Sequence, residues 1–166
     1  MSSIIAGLLL LFQVVGTANQ SATINGIEVS YPSSLTVEKM FSNNNTITLT
    51  NFNGNWLHGG FFPSDGMLIT ILFEEKEGKN LEQIIQEDIK DSNGLISRGS
   101  YQVGNQNGTR VVLNNDYQFF KDTQVIVYVD GNTGVHKFFL AWDQNSSQQK
   151  SFFDLFDQLL TTVKFQ

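Results

Sequence analysis

Only two residues in this chain, His58 and His136, carry the imidazole that most often binds metal or moves protons, and cysteine is absent. Zinc takes about three protein ligands in a catalytic site and about four in a structural one. No H-E-x-x-H occurs, so a metal site would need carboxylates gathered by folding. His136 shares an alternating run with Phe138, Leu140 and Trp142, which predicts an edge-of-core histidine. The missing thiols exclude disulfides, iron–sulfur ligation and cysteine catalysis. A serine hydrolase needs its nucleophile on a strained G-x-S-x-G elbow, and Gly99-Ser100-Tyr101 lacks the second glycine. There is no phosphate-cradling P-loop and no G-x-G-x-x-G.

Carboxylates remain. Glu74, Glu75 and Glu77 follow one apolar run, and Glu87, Asp88 and Asp91 lie on the helix after it. In an acidic chain such groups are expected on solvated faces. A hydrolase built on two of them is the last-ranked reading, because glycosidase chemistry needs a pair facing across a cleft. Asp130-Gly131-Asn132 resembles the opening of a calcium loop, but the twelfth position of such a loop is Ala141, not glutamate. It reads better as a hairpin turn. A calcium site from Asp130, Asn132 and loop carbonyls is the minor alternative, and no cofactor is otherwise expected.

The candidate working surface is the segment Asn51–Asp65, rich in Asn, Gly and aromatics. Long irregular stretches inside compact domains tend to be functional or disordered. Trp56, His58, Phe61, Phe62 and Asp65 are its candidate partner-binding residues, since aromatics on a glycine framework suit contact with another protein. The competing reading turns Trp56, Phe61 and Phe62 inward as a lid on the sheet.

The elements that must position these groups follow from periodicity. Ile27–Pro32 and Thr46–Phe52 alternate as strands with one wet face. Ser33–Ser42 reads as irregular. Met67–Phe73 is apolar on both alternating sets, which predicts a central strand covered on both sides. Asn80 caps a helix with Gln83 completing a capping box, its apolar stripe being Leu81, Ile84, Ile85 and Ile89, and Asn93-Gly94 ends it. Leu95–Val103 is a weak strand. Thr109–Leu113 and Tyr117–Phe120 are stronger ones with a turn at Asn114–Asp116. Gln124–Asp130 and Val135–Trp142 form a hairpin through Gly131–Gly134. The helix Ser147–Val163 carries Phe152, Phe153, Phe156, Leu159, Leu160 and Val163, with Ser146 and Gln149 as a second capping box and Lys164 at the negative end of its dipole. The fold class expected is α+β, an antiparallel sheet flanked by helices.

The 166 residues suit one domain, and 40% apolar residues with 14 Phe suffice for a core. Sixteen acidic against 10 basic residues give a net charge of −6. That balance excludes nucleic acid, whose phosphates select clustered cations. Ile4–Val15 is almost wholly apolar, and Gly16-Thr17-Ala18 offers small residues for cleavage. The run is short of the ~20 residues that span a bilayer. Residues 1–18 are therefore expected to be a signal peptide or N-terminal anchor, and 19–166 a single exported domain that does not itself insert in the membrane. Asn19, Asn44, Asn107 and Asn145 each open an N-x-Ser/Thr triplet that could accept a glycan in an exported chain.

An apolar leader is followed by a strand ending in Tyr31-Pro32, an apolar strand with a capped helix after it (Met67–Ile89), a Gly-led strand (Gly108–Leu113), a hairpin, and a Phe-rich helix closing on Val163-Lys164-Phe165. This order resembles the PsbP-like superfamily and its DcrB-like relatives, over roughly Ile24 to Phe165. The resemblance implies an α/β/α sandwich and an exported domain that binds a membrane-associated partner or assembly on the extracytoplasmic side and catalyses nothing. No metal ligand of the photosynthetic members can be carried onto a position here. A small-ligand or calcium-binding module, with a pocket under the Trp56 segment, is the alternative.

Overall fold

The computed structural model describes residues 19–52, 63–90, 92, 94–116 and 121–166. Ten strands and two helices are described: β1 (Asn19–Ile24), β2 (Ile27–Pro32), β3 (Thr36–Val37), β4 (Thr46–Thr50), β5 (Met67–Glu75), α1 (Leu81–Ile89), β6 (Gly94–Val103), β7 (Gln106–Asp116), β8 (Lys121–Asp130), β9 (Gly134–Asp143), α2 (Gln149–Thr161) and β10 (Lys164–Phe165). Seven strands form the main sheet in the order β3-β4-β5-β9-β8-β7-β6, and β1-β2-β10 form a small one. Each described pairing is antiparallel.

The register explains the layers. Met67, Ile69 and Ile71 of β5 pair with Trp142, Leu140 and Phe138 of β9, which puts all six on one face. Val125, Val127 and Val129 of β8 continue it. Onto this face α2 lays Phe152, Phe156, Leu159 and Leu160, and the small sheet adds Ile27, Val29 and Tyr31 in one continuous core. Thr162 fastens the end of α2 to β2: its hydroxyl lies 2.9 Å from the Ser30 carbonyl and accepts the Ser30 N–H at 3.0 Å. Gly104 needs its missing side chain. It has φ +53, and a Cβ there would stand 2.2 Å from the Val163 carbonyl oxygen.

The opposite face holds a second, smaller core. Ile84 and Ile85 of α1 pack on Val111, Leu113, Ile126, Tyr128 and Val135. The capping box predicted for α1 is formed, Asn80 Oδ1 accepting the Gln83 N–H at 2.9 Å and Gln83 Oε1 the Asn80 N–H at 2.9 Å. The architecture is therefore the expected α+β sandwich.

Several local expectations are corrected. Asn114–Asp116 is not a turn. It is the end of β7, paired with Lys121–Thr123 of β8. Its polar side chains find cross-strand partners instead: Thr123 Oγ1 donates to Asn114 Oδ1 at 2.9 Å, and Lys121 pairs with Asp116 at 2.6 Å. The strand expected over Tyr117–Phe120 lies outside the described residues, as do residues 1–18. The Ser146–Gln149 capping box does not form. The N-cap of α2 is Gln148, whose N–H is accepted by Ser146 Oγ at 3.1 Å, and Gln149 donates instead to the Gln144 carbonyl. Lys164 belongs to β10 and faces Glu28 at 3.9 Å. α1 ends at Ile89, and Gly94 already opens β6. The stretch Ser33–Ser42 contains β3 and a 3-10 turn at Lys39–Phe41, and β1 was not foreseen. Among the described residues no helix is long and apolar enough to cross a membrane.

Candidate functional site

β5 was expected to be covered on both faces. The α2 side is, but the other side is covered only in part. Thr46, Thr48 and Thr50 of β4 pair with Leu72, Thr70 and Leu68, so these residues share the face on which α1 sits. The Glu38–Ser42 segment closes the β4 border: the hydroxyl of Thr48 donates to the Phe41 carbonyl at 3.0 Å and that of Thr50 to Glu38 at 2.9 Å. α1 is nine residues long and reaches β7, β8 and one end of β9. Between the two lies a trough of about 400 Å³ lined by Thr70, Leu72, Asp88, Gln124, Ile126, Lys137 and Phe139. Its volume lies within the range of small-ligand sites, and apolar side chains dominate its floor.

One end of the trough is ionic. Lys137 alternates with Val135 and Phe139 on β9, so an apolar strand carries its ammonium onto this face. The side chain is 8% exposed, and Nζ sits 2.5 Å from Glu74 of β5 and 2.7 Å from Asp88 of α1. The Tyr128 ring lies 5.8 Å from Nζ. Burial, reinforced by the neighbouring Asp88 carboxylate, pushes the Tyr128 phenol up, so it stays protonated at any ordinary pH. Asp88, expected on a solvated face, is instead the helix's contribution to this cluster. The outer surface of α1 is occupied by matched pairs. Arg98 and Gln86 hold the Glu82 carboxyl at about 2, and Lys79 holds Glu87 below its usual range.

A second polar group adjoins the trough-lining Gln124. Asp122 is 4% exposed. Gln124 donates to its Oδ2 at 2.8 Å, and its Oδ1 has no hydrogen-bond partner among the described residues. Burial raises its carboxyl above the ordinary range, while the Gln124 and Asn115 side chains pull the other way without cancelling it. An acid whose folded-state value is raised binds its proton more tightly in the folded chain than in the unfolded one. Its ionisation therefore subtracts stability as pH climbs through that raised value, and the loss is recovered on acidification. Asp122→Asn is expected to raise the urea midpoint at pH 7, with the gap to the parent closing as pH falls toward 4. A gap that does not change with pH would show that Asp122 ionises as freely in the fold as outside it.

The residues singled out from sequence fall as follows. Trp56, His58, Phe61 and Phe62 lie outside the described residues. Asp65 is exposed, and its carbonyl accepts the Asn51 side-chain amide at 2.8 Å, while Asn51 Oδ1 accepts the Met67 N–H at 2.8 Å. Asn51 thus clasps the two ends of the Asn51–Asp65 segment. Gly66 closes that stem, because a Cβ there would stand 2.6 Å from Pro63. His136 is 9% exposed between Phe73 and Phe165, with Nε2 3.0 Å from the Asn25 carbonyl oxygen. This is the edge-of-core position expected. At the β8–β9 turn, the Lys76 ammonium meets Asp130 at 2.8 Å and the Gly131 carbonyl at 2.6 Å. A cation's place on those two oxygens is taken by a side chain. Leu72, Phe139 and Lys137 were not singled out. The one available signal was Lys137 itself, a lone cation inside the apolar run Val135–Trp142.

No protein-family model and no curated protein matches the chain. Solved structures do. Cyanobacterial PsbP (CyanoP) from Synechocystis sp. PCC 6803 aligns with a TM-score of 0.53 at 12% identity, over 93% of this chain and 96% of its own. The Saccharomyces cerevisiae Ran-binding protein Mog1p aligns with 0.55 at 10% identity, over 90% and 96%. LpqN of Mycobacterium tuberculosis, involved in cell envelope biogenesis, aligns with 0.55 at 10% identity, over 90% and 86%. The chain spans 45% of the length of a matched protein from Bacteroides thetaiotaomicron. The fold is the one these proteins share, as the order of elements implied. At such identities the likeness extends to the fold alone.

Proposed function

We propose that this protein is a non-enzymatic binding or accessory domain that contacts a membrane-associated partner or assembly on the extracytoplasmic side, through the trough beside α1. The observation that carries this reading is the half-covered sheet face: Leu72 and Phe139 stay part-exposed beside the buried Ile126, where a second helix would complete the core. A binding role also agrees with the proteins of similar fold, one of which is Ran-binding and another involved in cell envelope biogenesis. Trp56, His58, Phe61, Phe62 and Asp65 are the proposed companion contacts. Their segment leaves and rejoins the sheet at Asn51 and Met67, next to Leu68 on the trough's face. The domain is proposed to work without a cofactor. The concave trough also favours a small-ligand module as the second reading, whereas Lys76 stands against calcium at Asp130.

A photo-crosslinking residue at Leu72, and a control at the exposed Lys150 on α2, test this in the native host. The expected result is a discrete adduct in the envelope fraction from position 72, absent from position 150 and lost with Phe139→Glu. Identical adducts from both positions, or the protein recovered only from the cytosol, would overturn it.

A further inference from the structure

We infer that the trough takes a cationic side chain of the partner, an Arg or Lys whose aliphatic stem lies over Leu72 and Ile126 and whose charged end meets Asp88. This rests on the trough being the contact surface. The argument is one of charge. At first sight Lys137 marks an anion site. Its ammonium, however, is already held between Glu74 and Asp88, and it is 8% exposed while they are 41% and 30% exposed. A group arriving in the trough meets Asp88 before the buried ammonium, and Asp88, Lys137 and Glu74 together carry a net charge of −1. Nζ meets one oxygen of each carboxylate, Glu74 Oε2 and Asp88 Oδ2, and two carboxylates carry more lone pairs than those two contacts use. A guanidinium or ammonium fits that surplus, and a carboxylate or phosphate is repelled by it.

Two further features agree. Lys137 is the only cation lining the trough among the described residues, and it is neutralised. Phe139 lines the trough, and an aromatic ring attracts a cation placed over its face. Long cationic side chains commonly lay an apolar stem on such a surface and keep the charge at its edge.

The test is an NMR titration of the full chain with acetyl-Leu-Arg-Leu-amide, acetyl-Leu-Glu-Leu-amide and n-hexylammonium. The Arg peptide is expected to shift the amides of Leu72, Ile126 and Phe139 with an affinity about tenfold above that of the Glu peptide, or roughly 1.4 kcal/mol. Asp88→Asn should erase most of that preference. If that variant does not fold, the comparison of peptides on the parent chain decides alone. Equal binding of both peptides in the trough would overturn the cation assignment and leave the contact surface standing. Hexylammonium binding as tightly as the Arg peptide would assign the site to a small cationic amphiphile and overturn the partner side chain. Shifts from the Arg peptide confined to the outer acids of α1 would remove both readings.

Discussion

Phe156→Ala is expected to destabilise the fold by about 3–5 kcal/mol. Phe156 is 0% exposed at the centre of the α2 stripe, in the same core as Phe138, Leu140 and Ile71. The sheet beneath it is held by antiparallel ladders on both sides of β9, so it cannot collapse into the space left by the ring. A cavity therefore remains, and its lining loses contacts as well as burial. A domain of this size is stable by only about 5–15 kcal/mol, so the loss is a large share of the total. Urea denaturation should show a lower midpoint with an unchanged slope. The neighbouring Phe153, which is half-buried and meets Trp142 edge to face with ring centres 5.0 Å apart, should lose less. A drop below about 1 kcal/mol for Phe156→Ala would mean that α2 does not seat on the sheet as described.

Lys137→Met is expected to lower stability by about 2–3 kcal/mol. Removing one member of a buried ionic cluster leaves the others uncompensated, which typically costs 3–5 kcal/mol. The partial exposure of Glu74 and Asp88 moderates this, since water can reach both. Methionine keeps the stem, so the loss reports charge rather than packing. The decisive comparison is with Lys137→Met in a Glu74→Gln, Asp88→Asn background. There no carboxylate is stranded, and the methionine should be nearly neutral or even stabilising. If the triple variant is as damaged as the single one, the packing of Lys137 matters and its charge does not.

Some of this molecule was legible before folding. The two capping-box patterns illustrate both the reach of local reading and its limit. Asn80-Leu81-Glu82-Gln83 forms its box, with Asn80 and Gln83 bonded to each other's backbone N–H. Ser146 and Gln149 have the same pattern. There the hairpin end draws Gln149 to the Gln144 carbonyl and sets the cap two residues later. Asn114-Asn115-Asp116 failed for a related reason. A polar run looks like a turn until a neighbouring strand supplies Thr123 and Lys121 as partners, and that neighbour is a tertiary fact.

By itself the sequence determined the fold class, the order of most strands and both helices, and the exclusion of thiol chemistry. Alternation of two and of three to four is a local property, readable wherever one face is buried and the other wet. Tertiary structure alone decided how far each face is covered. Periodicity marked Met67–Phe73 as apolar on both alternating sets, but only the packing shows that α1 stops over β8 and β9 and leaves a trough beside it. It likewise brings Glu74, Asp88 and Lys137 together from a strand, a helix and another strand. Such a cluster depends on sheet register and helix placement, which no single segment encodes.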